Sequence, residues 1–470
     1  MKKDLLADLR RGKHLNTREM LYLTMTLALP SIIAEVSYLF MSFIDASMVG
    51  SLGANASASV GIVATTTWLL GGIIRSATLG FTVQVAHLYG AEDYKNARSV
   101  CLHGVLTVLC IGLGLCAIAL SISGFLPGWL GGQQNIRADA TKYFVIYAFS
   151  LPFMAINNTS GGMLQCSGNM KVPSVLNVIS CVLDVVFNFF LIYPSKVFHI
   201  FGHEFVLHRA GLGVRGAALG TTLAAACCGL AMVYFLFVRS ENLHFRREKR
   251  KKFDKVEITS ALQISLPVAF QNILSGGAQI VATGIVAPLG PVAISANSFA
   301  VTTEGFCYMP GFGIAAAATT MVGQSIGAGR KKTAKRLGWI CILSGMVIMT
   351  LTGALMYIFS YPLIGLLSPV EDIRELGAAV LRIEAFAEPF FAAQIVGSGV
   401  FRGFKDTLGP SIIDFATMWL VRLPLAYVLA RIIGLRGVWI AMCLQLIIEG
   451  IIFLIRMALK NRNVVDLVEE

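Results

Sequence analysis

Charge is scarce in this sequence. Asp, Glu, Lys and Arg make up 14% of its 470 residues, where a soluble globular chain carries about 25%. So little charge cannot cover a water-facing surface, and together with 56% hydrophobic residues it excludes an ordinary soluble enzyme and a disordered chain. No short apolar stretch with a cleavage site follows the charged N-terminus, which runs through Arg18, so no leader removal is expected. No CxxC occurs among the ten cysteines, which fall in or beside apolar segments and read as small buried hydrophobes. The run 327–333, Gly-Ala-Gly-Arg-Lys-Lys-Thr, lacks the second glycine of a phosphate-binding loop, so nothing points to ATP as the energy source. His203 to His208 resembles HExxH with one residue too many, so the two histidines would not stack one helical turn apart as zinc ligands.

What is present is a series of long apolar stretches. A spanning helix needs about 20 such residues, and the sequence reads as twelve, near 18–48, 56–83, 95–122, 138–165, 171–194, 212–238, 257–287, 293–320, 333–361, 376–400, 408–432 and 437–459. The ~10-residue alternating strands of a membrane barrel are not seen. Of the 38 Lys and Arg, 27 fall on the side that takes both termini and the even-to-odd connections, densest at Arg246 to Lys252 and Arg330 to Lys332. The positive-inside rule makes that side cytoplasmic. The basic excess of +12 is therefore a topology signal, and no nucleic-acid partner is expected. The expected setting is the inner (plasma) membrane, multi-pass, with the lipid bilayer as the surrounding partner.

The chain also matches itself. At a shift of 237 residues Pro30 meets Pro267, Leu52-Gly53 meets Leu289-Gly290, Thr65-Thr66 meets Thr302-Thr303 and Pro152-Phe153 meets Pro389-Phe390. After the fifth stretch the shift becomes 221, because the first half carries 16 extra residues within 193–211, where 197–208 reads as an exposed hairpin. Each half has six helices, so both enter the membrane in the same sense and are related by an axis along its normal. The expected organisation is a cytoplasmic segment 1–17, an N-lobe 18–238, a basic cytoplasmic linker 239–256, a C-lobe 257–459 and a cytoplasmic tail 460–470. The fold class is all-α integral membrane, with two pseudo-symmetric six-helix bundles around a cleft, the layout of alternating access.

Ionisable groups inside the membrane are functional candidates, since each costs roughly 2.5–3.5 kcal/mol on insertion scales. Asp45, Asp184, Glu304, Glu388, Asp414, Glu35, Glu449, Arg75 and Arg422 qualify, with Glu384 nearer an interface. In the fifth stretch Asn177, Ser180, Asp184 and Asn188 are spaced 3, 4 and 4 apart and share one face. Asp45 on the first helix and Thr221 on the sixth lie at similar depth, so these groups can converge in the outer half of the first bundle. Close carboxylates can carry one proton between them; with amide and hydroxyl oxygens they can equally form a cage for Na⁺. Loading by either ion changes which helix packing is stable, and Pro30 offers a bendable element. No other metal and no cofactor is expected. The second half is not a copy: the images of Asp45 and Asp184 are Ala282 and Val421, while Glu304 and Glu388 image Thr67 and Leu151. Glu304 and Glu388 can line a substrate cleft and meet a cationic compound, or pair with Arg422. Asp414 can also pair with Arg422.

Three stretches resemble a known family. They are 43–45 with 49–53 (Phe-Ile-Asp, then Val-Gly-Ser-Leu-Gly), 322–329 (Val-Gly-Gln-Ser-Ile-Gly-Ala-Gly) and 401–407 (Phe-Arg-Gly-Phe-Lys-Asp-Thr). In order and spacing they resemble the multidrug and toxic compound extrusion (MATE) transporters of bacteria, over nearly the whole chain. The resemblance implies two six-helix lobes in an outward-facing V, exporting small organic compounds against inward H⁺ or Na⁺, with a functional monomer expected. It places Asp45 on the essential first-helix carboxylate, Asp184 on the fifth-helix one, Ser180 where Asn is common and Thr221 on a polar sixth-helix position. Ser180 departs from that pattern, and Asn177 or Asn188 can supply the amide. Some members carry a seventh-helix Glu eight residues after the proline, where this chain has Ser275. The alternatives are a lipid-linked oligosaccharide flippase, which favours fourteen helices and a cationic cavity; a sugar-type carrier, whose Gly/Asp/Arg loop signature is missing from 90–99; and a membrane-embedded enzyme, for which the peripheral histidines supply no site.

Overall fold

The computed structural model describes residues 5–11, 13, 15–200, 203–244 and 255–465. The basic run of the linker and residues 466–470 of the tail fall outside these. Twelve helices cross the bilayer, and ten of them are long and apolar enough on composition alone. The other two fall short for different reasons, one through a polar start and the other through a break. The fourth, Gln134–Cys166, opens on Gln134, Asn135, Arg137, Asp139 and Lys142. The tenth is interrupted, running Glu371–Glu384 and then Glu388–Gly403. The first to third spans are Thr17–Gly50, Ala54–Gly90 and Tyr94–Ile122. The fifth is Lys171–Ile192, and the sixth is Val214–Tyr234 continuing as a π turn to Arg239. The second half follows with Lys255–Val286, Pro291–Gly327 and Lys331–Leu367 as spans seven to nine. Span eleven is Leu408–Ala416, a π turn Thr417–Arg422 and Leu423–Ile433, and span twelve is Leu435–Val465. The hairpin between spans five and six pairs Pro194–Ile200 with His203–Ala210.

One element was not expected. Leu5–Arg11 forms a short helix ahead of the first span. It buries Leu5, Leu6 and Leu9 in a core shared with spans one, eight, nine, ten and twelve, and its Arg10 guanidinium lies 4.9 Å over the Tyr89 ring. The first span then starts on a capping box. The Asn16 side chain accepts from Glu19 N at 2.8 Å, and Asn16 N donates back to the Glu19 carboxylate at 3.0 Å.

Each bundle packs internally, and the bundles meet through matching pairs. Span one packs on span eight, and span two packs on span seven. The repeat maps the first pair onto the second, so the interface is itself two-fold. Glycines let backbones touch there. A Cβ on Gly80 would overlap the Ala261 carbonyl, and one on Gly327 would overlap that of His87. Among the described residues, hydrogen bonds between the halves run from mid-membrane to the face that carries the termini. The outermost are from Asn272 Nδ2 to Ser76 Oγ at 2.8 Å and to Gly72 O at 3.4 Å. Nearer that face Ser265 Oγ accepts from Gly80 N at 3.0 Å, Gln324 donates to Cys166 O at 2.7 Å, and His103 meets Glu257 at 2.9 Å. Toward the opposite face the described contact between bundles is apolar, Phe306 against Phe40 and Phe43. All ten cysteines are free; Cys110 and Cys227 are exposed and the other eight are buried.

Candidate functional site

Span six is laid against span five by Gly216 and Gly220, four residues apart. A Cβ on Gly216 would overlap the Leu191 and Ile192 backbone, and one on Gly220 would overlap Asn188 Oδ1. This close approach, which only glycine permits, presses the polar stripe of span five into the N-lobe. There Asp184 and Asn188 are each 1% exposed. Asn188 Nδ2 donates to Asp45 Oδ1 at 2.8 Å and to Asp184 Oδ2 at 3.2 Å, so one amide ties span one to span five. The two carboxyls share that amide, and Thr221, next after Gly220 on span six, donates its hydroxyl to Ala217 O at 3.2 Å. Asp184 Oδ1 and Asn188 Oδ1 are buried with no hydrogen-bond partner. Two carboxylates this close repel strongly in a poorly solvated interior unless a proton or a cation sits with them. Chemically such a cluster can take up a positive charge, and carboxyl, amide and hydroxyl oxygens are donors that suit H⁺ or Na⁺.

The other members of the stripe lie further along. Ser180 and Asn177, three residues apart, are both half-buried. Aromatic groups of span four were missed from sequence. Tyr143 packs against Val49, Ile192 and Ala217 of spans one, five and six, and Tyr147 donates to Thr67 O at 2.8 Å. Their spacing of four on one helix face was visible, but nothing in the sequence aimed that face at span one. Pro30 lies inside span one without breaking it.

In the C-lobe, Glu304 and Glu388 are 6% and 0% exposed, so neither lines an open surface. Both Glu388 oxygens are buried without a hydrogen-bond partner. Glu384, expected near an interface, is fully buried and accepts from Cys443 Sγ at 2.9 Å. The span begins at Glu371 rather than near 376, which sets Glu384 about 20 Å along the helix from its start at 1.5 Å per residue. Neither Glu304 nor Glu388 forms an ion pair with Arg422 among the described residues; the guanidinium lies 3.0 Å from Met442 Sδ. Asp414 likewise accepts from Ser275 Oγ at 3.0 Å instead of pairing with Arg422. The π turn explains why. Gly437, the image of Gly216, packs on Leu429, one residue beyond the image of Leu191. The turn therefore absorbs one residue and brings Arg422, not Val421, to the place that Asp184 holds in the N-lobe.

Two pseudo-symmetric bundles facing each other, with carboxyl groups buried inside them, are the layout of a membrane transporter. The sequence pattern of the MatE family matches residues 30–190 and 267–428, and the chain belongs to that family. It is similar to the probable multidrug resistance protein NorM of Thermotoga maritima, 28% identical over 431 residues, 90% of this chain and 89% of that protein. It is also similar to the multidrug resistance protein NorM of Burkholderia vietnamiensis, 27% identical over 457 residues, 94% of each. Among solved structures, a MATE transporter in its straight conformation superposes with TM-score 0.86 at 19% identity over 97% of this chain and 98% of that one. A MOP-superfamily transporter from Pyrococcus furiosus gives 0.86 at 18% over 98% of both. These likenesses establish the twelve-helix fold, and with the family they disfavour the flippase reading.

Proposed function

We propose that this protein is a secondary active multidrug exporter of the plasma membrane. It moves small organic compounds outward by alternating access while H⁺ or Na⁺ flows in, and it carries out no chemical reaction. Both termini lie on the cytoplasmic side, which the basic loops mark. The domain limits follow: N-lobe 18–238, linker 239–256 and C-lobe 257–459, with the functional unit a monomer. The observation that carries the coupling assignment is the Asn188 amide shared by Asp45 and Asp184.

Loading a cation removes the repulsion between the two acids and lets spans one and five close on each other. Releasing it drives them apart. Span one also packs along span eight of the other bundle, so movement at Asp45 reaches the interface between the lobes, with Pro30 as the bend. Thr221 completes the loading set, with Ser180 and Asn177 along the same stripe. Glu304 and Glu388 would meet a substrate cation only after spans eight and ten rearrange. The relatives named for multidrug resistance supply the substrate class.

The test is dye efflux from proteoliposomes energised separately by a Na⁺ or a pH gradient. Asp45→Asn should give a monodisperse protein that no longer exports under either gradient. Full export by that variant refutes the assignment.

A further inference from the structure

The C-lobe carries a groove of about 360 Å³ between spans nine, ten and twelve, and no N-lobe residue lines it. Its walls are mostly apolar, formed by Tyr357 of span nine, Phe386 of span ten, and Ile440 and Leu444 of span twelve. Phe386 is 69% exposed and meets the Tyr357 ring edge-on, with centroids 5.8 Å apart. One charged residue lines the groove, Arg382. Its guanidinium is held in place. Arg382 Nε donates at 3.0 Å to Ser360 Oγ, and that buried hydroxyl donates in turn to Tyr357 O at 3.1 Å. The guanidinium carbon also lies 5.8 Å from the Tyr357 ring centroid. Among the described residues no hydrogen bond or ion pair takes either terminal nitrogen of Arg382.

Two observations make this a ligand site rather than a bare lipid-facing surface. The first is depth. Span nine has 37 residues, about 55 Å at 1.5 Å per residue, against roughly 40–45 Å for a bilayer with its polar layers. Ser360 is seven residues from the Leu367 end, about 10 Å along the helix, which sets it in the polar layer on the face opposite the termini. The apolar walls lie deeper, Tyr357 one turn below Ser360 and Phe386 one turn below Arg382. A fixed cation at the headgroups above an apolar groove in the hydrocarbon fits an anionic amphiphile, head outward and chain inward. A lipid-facing arginine with unused donors calls for an anion, and phosphate is the anion that layer supplies. The second is the repeat. Ser360, Phe386 and Leu444 are the images of Ser123, Phe149 and Leu223, so both lobes keep the walls. Arg382 and Tyr357 are the images of Val145 and Leu120, so the charge and the ring beside it belong to the C-lobe alone. Cys443 also lines the groove and donates to Glu384 Oε2 at 2.9 Å, next to the break in span ten. A chain seated there braces that break.

We propose that this groove binds one anionic phospholipid of the leaflet opposite the termini, with its phosphate on Arg382 and an acyl chain between Tyr357, Phe386 and Leu444. The binding rests on the membrane-spanning fold and not on the exporter reading.

The experiment titrates the purified full-length protein in detergent with phosphatidylglycerol, or with phosphatidylcholine of the same acyl chains, and counts bound lipid by native mass spectrometry. One of the bound phosphatidylglycerol molecules should need roughly tenfold more lipid in Arg382→Gln, the scale of one charge-assisted contact. Phosphatidylcholine should bind the unaltered protein and that variant alike. Arg374→Gln removes the same charge from the same helix outside the groove and should change neither titration. Leu444→Trp fills the groove with the arginine in place and should also lose one phosphatidylglycerol; it decides the question if Arg382→Gln is not monodisperse. Phosphatidylglycerol titrations that coincide for the unaltered protein and both groove variants overturn the proposal. So does an equal effect of Arg374→Gln and Arg382→Gln, which would mean diffuse attraction to basic residues. Export is not read in this assay, so either result leaves the Asp45 assignment standing.

Discussion

Gly220→Ala is the substitution whose sign separates helix propensity from site geometry. In an ordinary helix interior the change stabilises by roughly 0.5–1 kcal/mol. At this position a Cβ would overlap Asn188 Oδ1 and sit 3.0 Å from Asn188 Cγ and 3.1 Å from its backbone N. The side chain of Asn188 must swing away or span six must retreat. Either movement pulls Asn188 Nδ2 off Asp45 Oδ1, now 2.8 Å away, and off Asp184 Oδ2, now 3.2 Å away. The amide N–H stabilises the empty, ionised carboxylate, and a hydrogen bond to a charged group is worth about 1.5–3 kcal/mol, so losing the shorter one alone destabilises the empty site and tightens loading by about 10- to 150-fold. The assay is the ion concentration for half-maximal export in proteoliposomes. The expected result is a monodisperse protein whose half-maximal concentration falls by that factor. Gly114→Ala, at a glycine with nothing within 4 Å of its Cβ, serves as the control and should export normally. If Gly220→Ala loads and exports like Gly114→Ala, the close packing of spans five and six does not hold Asn188 in place, and the bridge is incidental.

Gly80→Val should push span two from span seven, since any side chain there meets the Ala261 carbonyl and breaks the bond from Gly80 N to Ser265 Oγ. A cysteine at Ala86, which is 0% exposed, should then react faster with a water-soluble maleimide; an unchanged rate would show that this packing does not close that face. Leu9→Ala should detach the N-terminal helix. Leu9 is 1% exposed, its truncation costs about 2–5 kcal/mol, and a helix of seven residues cannot persist without its packing. Trypsin cleavage near Arg10, Arg11 and Lys13 should accelerate several-fold, and no acceleration would mean the helix is held by other contacts.

The spans were legible because hydrocarbon imposes a length and a composition. The sequence reading cut them short, for example at 293–320 where the helix runs Pro291–Gly327, because helices continue past the apolar layer into water, where composition no longer marks them. The polar stripe of span five was legible through its spacing. That Asn188 is its centre was not, because that depends on Gly220 of another helix. The break in span ten could not be read from its proline. Pro152 is the image of Pro389, yet Gln134–Cys166 runs unbroken through it, so the proline permits a break without requiring one. The π turn at Thr417–Arg422 leaves no mark in composition either, and a single absorbed residue is enough to exchange Val421 for Arg422 as the counterpart of Asp184.

That exchange gives the asymmetry of the two lobes a physical basis. A duplicated bundle begins with the same polar stripe on its fifth helix, and each copy must keep its buried charge balanced. Among the described residues the two N-lobe acids have no ion pair, so on the proposed reading their balance depends on an ion that comes and goes. The C-lobe sets Arg422 among its acids. Its field reaches Glu304, Glu384 and Asp414, which makes part of the balance permanent. A lobe with a resident guanidinium has less reason to change shape as ions load and leave, and can act as the steadier wall against which the N-lobe bends. Removing the charge by Arg422→Gln should therefore leave the N-lobe site intact and make the C-lobe more dependent on external cations. Thermal stability would then rise with added Na⁺ more steeply than in the unaltered protein. An unchanged Na⁺ dependence would mean that Arg422 does not serve as the internal counter-ion.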